Sequence, residues 1–309
     1  MVAVAFFLLT VICVYGAWWL GRARWPWRAP GSAIVLWQAL GLAWGLGLIG
    51  GALALALAPY GRGVAHGLAV LVSDVAADRL GGRFGVVHIA MLAVGVGLGG
   101  VLVGALVVSF WDVVAARRRH RAVLALVGHG SPQAPGAVVL DHPAAAAYCI
   151  PGIAPGNSAY VVVSEGTLRL LDRAELAAVL AHEWAHARQH HDLVLLPFRS
   201  LRRLLPTFRF VGDVFAAVEL LVEMCADDQA RRQHAEGPLA EALLRFSAVG
   251  CARTPAGGLA VAETDVIARV RRLTEQPAGL PRWLRVMVWV SAAAVAMMPA
   301  VLAWLPCLV

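Results

Sequence analysis

The residues best suited to chemistry lie in the segment ELAAVLAHEWAHARQHHD, residues 175–192. His182 and His186 are four residues apart, so on a helix their imidazoles lie on one face, a single turn from each other. Two such imidazoles can share a zinc ion, and Glu183 beside them can take a proton from the attacking water. An exposed helix with unrelated histidines is the alternative, and the alanine-, valine- and leucine-rich surroundings disfavour it. The HExxH pattern therefore predicts a zinc-dependent hydrolytic site.

The helix that carries this pattern has a recognisable beginning and end. Asp172 and Glu175 form a capping box, and alanine and leucine continue the helix to about His190. His190 extends the histidine stripe, but at 1.5 Å per residue it lies about 12 Å along the axis from His182, too far to share one ion. We therefore expect His190 and His191 to cap the helix end, where a cationic imidazole is favoured.

A catalytic zinc needs a third protein ligand, and residues 213–233 offer it. Glu219, Glu223 and Asp227 recur every fourth residue along an otherwise apolar helix, where acids are costly unless they are paired or bind metal. We assign Glu223 as the ligand and Asp227 as an acceptor that orients a ligand histidine. Glu219 is the alternative ligand, and an acidic solvated face is the alternative reading of the stripe.

Two further features have a functional and a structural interpretation. Residues 158–171 indicate a strand that ends in a turn before the HExxH helix, either an edge strand that pairs with substrate backbone or an ordinary core strand. Arg231 and His234 follow the acidic stripe and are possible oxyanion stabilisers, with structural pairing as the alternative.

The composition indicates a membrane protein. Of the 309 residues, 60% are hydrophobic and 15% charged, and the mean hydropathy is +0.72. The net charge of +7 does not coincide with a nucleic-acid motif, so we expect no direct nucleic-acid partner. A lipid bilayer is the expected environment, because four runs without acid or arginine are each long enough to cross it as a helix: 1–21, 29–60, 84–111 and 286–309.

The arginines predict the orientation of these spans in a cell membrane. Arg22, Arg24 and Arg28 follow the first span, and a run of arginines within 117–121 follows the third. Arginine-rich connections face the cytoplasm. Both termini are therefore predicted outside, with the polar block inside. The predicted division is 1–112 with three transmembrane helices (about 2–20, 32–59 and 86–111), 113–283 as a cytoplasmic peptidase domain, and 284–309 as the fourth transmembrane helix.

The chain resembles the BlaR/MecR-type integral-membrane zinc metallopeptidases, an antirepressor family. The likeness lies in AYCIPG at 147–152, AYVVVSEGTLRLLDRAELAAVLAHEWAH at 159–186 and EMCADDQA at 223–230. It implies a mostly α protein, in which an α+β gluzincin-like domain is inserted between spans three and four. It also implies one zinc ion per chain held by His182, His186 and Glu223, with Glu183 as base and Asp227 as orienting residue. The related HtpX-like and CAAX-prenyl proteases share HExxH followed by ExxxD.

The resemblance implies a regulatory endopeptidase that cleaves a BlaI-like transcriptional repressor or a similar cytoplasmic protein. Well-known members carry a penicillin-binding sensor domain after the last span, whereas this sequence ends at Val309, so we expect no β-lactam sensing through such a domain. An HtpX-like protease for membrane-protein quality control is one alternative. A non-catalytic, zinc-containing membrane signal transducer is the other, and it would not need Glu183.

Overall fold

The computed structural model describes residues 1–61, 63–79, 84–152, 159–234, 236–251, 259–275 and 278–305. These residues are mostly helical, with one small sheet. The helices are α1 (Val2–Leu20), α2 (Pro30–Ala56), α3 (Gly63–Ala76), α4 (Val86–Val127), α5 (Glu165–Leu170), α6 (Arg173–Gln189), α7 (His191–Val194), α8 (Leu196–Leu204), α9 (Arg209–Arg231), α10 (Glu236–Cys251), α11 (Leu259–Glu275) and α12 (Arg282–Trp304).

Four helices, α1, α2, α4 and α12, are long and apolar enough to cross a membrane, which confirms the four predicted apolar spans. Large apolar side chains on them are exposed, for example Phe7 at 66% and Trp289 at 53%, as lipid contact requires. The third predicted span ended at residue 111, but α4 continues to Val127. The reason is that arginine, alanine and leucine are good helix formers, so the helix continues beyond the end of the apolar run.

The chain divides into two compact units, and the first comprises Met1–Val108, Pro197–Ala217 and Leu280–Val309. In it α2 packs against α1 and α12. A Cβ atom at Gly50 would overlap the ring of Phe6, so glycine is what allows α1 and α2 to approach at this point. The short apolar helix α3 lies in the predicted second connection and contacts α12.

The second unit comprises Ser109–Leu196 and Val218–Gly279 and contains a four-stranded sheet. Its strands are β1 (His129–Gly130), β2 (Val138–Leu140), β3 (Ala147–Ile150) and β4 (Tyr160–Ser164), in the order β1-β2-β4-β3. β2 and β4 are parallel, and the outer strands pair antiparallel with them. The predicted domain division, with 113–283 as one domain, stays a prediction.

The strand predicted within residues 158–171 is β4, and its place in the sheet decides between the two interpretations. The proposal of an edge strand is wrong, because β4 lies between β2 and β3. The core-strand alternative is correct. Val161, Val162 and Val163 are completely buried, which is expected of an interior strand covered on both faces.

The HExxH helix α6 packs against β3, β4 and α10. The predicted capping box is confirmed: Asp172 Oδ1 accepts from the backbone N–H of Ala174 and Glu175 at 2.8 and 2.9 Å, and Glu175 Oε2 accepts from the Asp172 N–H at 2.8 Å. Glu175 is only 1% exposed, and its other oxygen lies 2.9 Å from Arg245 Nε. These contacts fix the start of α6 and hence the position of the histidines along it.

Candidate metal centre

Three of the predicted site residues come together in the second unit. The potential ligand atoms of His182 and His186, from α6, and of Glu223, from α9, all lie within 4.8 Å of one another. The two Nε2 atoms are 3.1 Å apart. Glu223 Oε2 lies 3.4 Å from His182 Nε2, and Glu223 Oε1 lies 3.4 Å from His186 Nε2.

This spacing fits a tetrahedral zinc ion. Two ligand atoms bound at about 2.0–2.1 Å with a tetrahedral angle between them are about 3.3–3.4 Å apart. The Nε2–Nε2 separation of 3.1 Å is close to that value, and so is the 3.4 Å from each Nε2 to its nearer Glu223 oxygen, which is Oε2 for His182 and Oε1 for His186. Two imidazoles and one carboxylate are also the donor set of catalytic zinc sites that leave a fourth position open. The donor types, and their grouping within 4.8 Å of one another, therefore fit a zinc ion.

Glu219, the alternative ligand, does not belong to this cluster. It lies one helical turn before Glu223 and its side chain is exposed. Of the two acids, Glu223 is the one whose carboxylate faces the imidazoles.

Asp227 stands behind His182, as the orienting role requires. Its Oδ1 lies 3.0 Å from His182 Nδ1, the ring nitrogen opposite the one in the cluster. A carboxylate on Nδ1–H leaves the Nε2 lone pair free for metal. Asp227 is only 1% exposed, so its charge needs further compensation within the protein.

Arg269 of α11 supplies that compensation, and the sequence analysis missed it. Its Nε and Nη2 donate to the two oxygens of Asp227 at 2.8 and 2.7 Å, and its Nη1 lies 2.9 Å from Glu223 Oε2. One buried guanidinium thus holds both acids of the site. Charge-assisted bidentate pairs of this kind fix geometry as well as charge. A signal was available, since buried acids spaced on one helix require a cation from elsewhere.

The site's charges follow from these contacts. Burial opposes ionisation of Glu223, but hydrogen bonds from both histidines and attraction to Arg269 hold its pKa well below the usual range. Burial likewise opposes charge on Asp227, yet Arg269 and His182 lower its pKa. Burial disfavours the imidazolium of His182, but Asp227 and Glu223 raise its pKa to about 9. The ionised Asp227 and Glu223 therefore favour positive charge on His182.

Glu183 follows His182 on α6 and is partly buried. Burial raises its pKa, while the neighbouring His182 and His186 act in the opposite direction. A raised pKa makes this carboxylate a better proton acceptor near neutral pH. Burial contributes most to the raised pKa of Cys149 on β3, and the negative charge of Glu183 raises it further.

The expectation for the end of the HExxH helix is half right. His190 is the C-cap residue of α6, in the left-handed conformation with φ of 48°. His191, however, is not a solvated cation: it is 4% exposed, and burial together with His186 lowers its pKa to about 4. Its Nδ1 lies 2.8 Å from Nδ1 of His186. The left-handed turn at His190 directs His191 inward, a reversal that helical periodicity alone does not predict.

Arg231 and His234, the suggested oxyanion stabilisers, lie at and beyond the C-terminal end of α9. Arg231 Nη2 is 3.6 Å from Asp228 Oδ1 on the same helix, which agrees with the structural alternative for this residue. Arg231 lies two turns past Glu223, about 12 Å along the axis. An oxyanion role for either residue stays a prediction.

The arrangement defines a class: a mostly helical protein with four apolar spans, in which two histidines of an HExxH helix cluster with a carboxylate from another helix. Comparison with known proteins agrees with this class, because residues 115–247 match the family described as peptidase family M48. M48 peptidases are zinc-dependent metalloproteases, and the family includes HtpX and BlaR-like membrane proteases. The matched range contains α6, Glu223 and Asp227 but not Arg269. No solved structure gives a significant match.

Proposed function

We propose that this protein is an integral-membrane zinc-dependent endopeptidase. The observation that supports it most is the cluster of His182, His186 and Glu223, whose donor atoms lie within 4.8 Å of one another on the helix that also carries Glu183 and on α9. Bound there, zinc would polarise the scissile carbonyl and lower the pKa of the attacking water. The M48 match over residues 115–247 supports the same class of reaction.

The protein residues have separate roles in this proposal. His182, His186 and Glu223 hold one zinc ion per chain, and Asp227 orients His182. Glu183 takes a proton from the attacking water and passes it to the leaving amine nitrogen, so that one carboxylate serves as base and then as acid. Its raised pKa suits both steps. Arg269 keeps the two acids in place.

We further propose that β3 is the strand beside which an extended substrate lies. Among the described strands β3 is at one end of the sheet and pairs only with β4. It also packs against α6, which carries Glu183. A substrate backbone paired with β3 would gain register from main-chain hydrogen bonds. In this proposal β3, and not the strand within residues 158–171, pairs with the substrate backbone.

The cellular setting of the proposal rests on the sequence. The arginines that follow spans one and three favour a cytoplasmic peptidase domain within residues 113–283, with both termini outside. The BlaR/MecR-like segments favour a regulatory protease whose substrate is a BlaI-like repressor. The alternative is an HtpX-like quality-control protease with many membrane substrates, and the M48 match is compatible with both roles, because the family includes HtpX and BlaR-like proteases. A regulatory protease should cleave one cytoplasmic repressor, whereas a quality-control protease should cleave many unfolded membrane proteins.

The test compares the detergent-purified wild type with Glu183→Gln, which keeps the size of the side chain and removes the base. We expect equal zinc content in both proteins, and cleavage of casein or of a candidate repressor by the wild type alone. Cleavage by Glu183→Gln at the wild-type rate would overturn the assignment of the base. Stoichiometric zinc without cleavage of any substrate by either protein would favour a non-catalytic signal transducer.

A further inference from the structure

His186 has a partner that the proposed catalytic roles do not use. Its Nδ1 lies 2.8 Å from Nδ1 of His191, and the other ring nitrogen of His191, Nε2, lies 2.9 Å from Oε1 of Gln189. The two imidazole rings meet edge to face, with centroids 4.7 Å apart. His191 is 4% exposed, so this is a buried contact.

The hydrogens in this chain of contacts can be assigned from the chemistry of each group. His186 must present the Nε2 lone pair to a metal, so its proton is on Nδ1. That N–H donates to Nδ1 of His191, which therefore carries its own proton on Nε2. The Nε2–H of His191 in turn donates to the carbonyl oxygen of Gln189, which only accepts. Each proton in the chain then has one acceptor.

We propose that His191 is a positioning residue that fixes the tautomer and ring orientation of the ligand His186. This inference rests on the proposed zinc site and deepens it. The two ligand histidines are then supported differently: His182 by the charged Asp227, and His186 by a neutral imidazole. Partners of ligand histidines are commonly carboxylates or backbone carbonyls, and their loss typically costs metal affinity.

The local backbone holds His191 in this position. His190, in the left-handed conformation, ends α6 and turns the chain back, so that His191 begins α7. The next residue, Asp192, forms an ion pair with Arg117 of α4. Arg117 also donates from Nη1 to the carbonyl oxygen of Gly152 at 3.1 Å, so α7 is tied both to α4 and to the chain after β3.

The experiment compares three variants of the detergent-purified full chain. His191→Leu keeps apolar bulk but offers no acceptor. His191→Asn offers an amide oxygen near the position of the imidazole Nδ1. His190→Asn is the matched control, because His190 is exposed and asparagine tolerates the left-handed conformation. The zinc Kd is measured by competition with a chromophoric chelator, and the visible spectrum of the cobalt-substituted protein reports the ligand geometry.

We expect His191→Leu to raise the zinc Kd by about 10- to 100-fold and to alter the cobalt spectrum. His191→Asn should stay within a few-fold of wild type, and His190→Asn should equal it. If His191→Leu does not fold, His191→Ala takes its place. Wild-type affinity in the leucine or alanine variant, or an asparagine variant no better than either, would overturn this inference alone. A wild-type chain that binds no zinc would overturn the proposed function as well.

Discussion

Replacing Asp227 by asparagine tests how much the contacts of this carboxylate contribute to the zinc affinity of the proposed site. The change keeps the shape of the side chain and removes its charge, on a residue that is 1% exposed and contacts both His182 and Arg269. Loss of such a partner costs about 10- to 100-fold in metal affinity, or about 1.4–2.7 kcal/mol. Leaving a buried cation unpaired costs about 3–5 kcal/mol of stability. Because Glu223 still pairs with Arg269 at 2.9 Å, we expect the lower end of that range.

The assay is a zinc competition titration on the purified protein, with the apparent Tm in detergent measured alongside. Asp228→Asn is the matched control, since Asp228 pairs with Arg272 at 2.8 Å and not with a ligand histidine. Wild-type zinc affinity in Asp227→Asn, or an equal loss in Asp228→Asn, would refute the reasoning.

Further predictions concern ligand choice, metal removal and stability. Glu223→Gln should lose stoichiometric zinc while Glu219→Gln retains it, as measured by elemental analysis. A strong chelator should abolish cleavage and added zinc restore it; activity that persists without metal would contradict the zinc assignment. Asp172→Ala should destabilise the second unit by about 1 kcal/mol through loss of the helix cap, seen as a lower apparent Tm. Gly166→Ala should also lower the Tm, because its Cβ would overlap the backbone of residues 143–144.

The parts of the site that the sequence predicts are local. His182, Glu183 and His186 lie within one helical turn or so, and the capping box formed by Asp172 and Glu175 is just as local, so helical geometry fixes their relations. From the residues alone Glu219 stays an alternative to Glu223, and the resemblance to proteases with HExxH followed by ExxxD is what favours Glu223. In the structure only Glu223 joins the described three-residue cluster, because α9 turns that face towards α6.

The parts that the sequence does not predict depend on contacts distant along the chain. Arg269 is 42 residues from Asp227 along the chain. It lies in a helix with several arginines, which the sequence alone would place on a solvent-exposed face, yet it is only 8% exposed. β4 is recognisable as a strand from its valines, but its neighbours in the sheet depend on the pairing of β2 and β3 with it. His191 depends on a single left-handed residue, His190, which hydrophobic periodicity does not register.

The most direct test of the proposed metal centre is X-ray absorption at the zinc edge of the purified wild-type protein. We predict one zinc per chain with nitrogen and oxygen neighbours at about 2.0–2.2 Å, multiple scattering from two imidazoles, and no sulfur. Scattering from sulfur at about 2.3 Å would contradict it, and so would a fit that requires more than two imidazoles. Either result would mean that the metal is not held by His182, His186 and Glu223 as proposed.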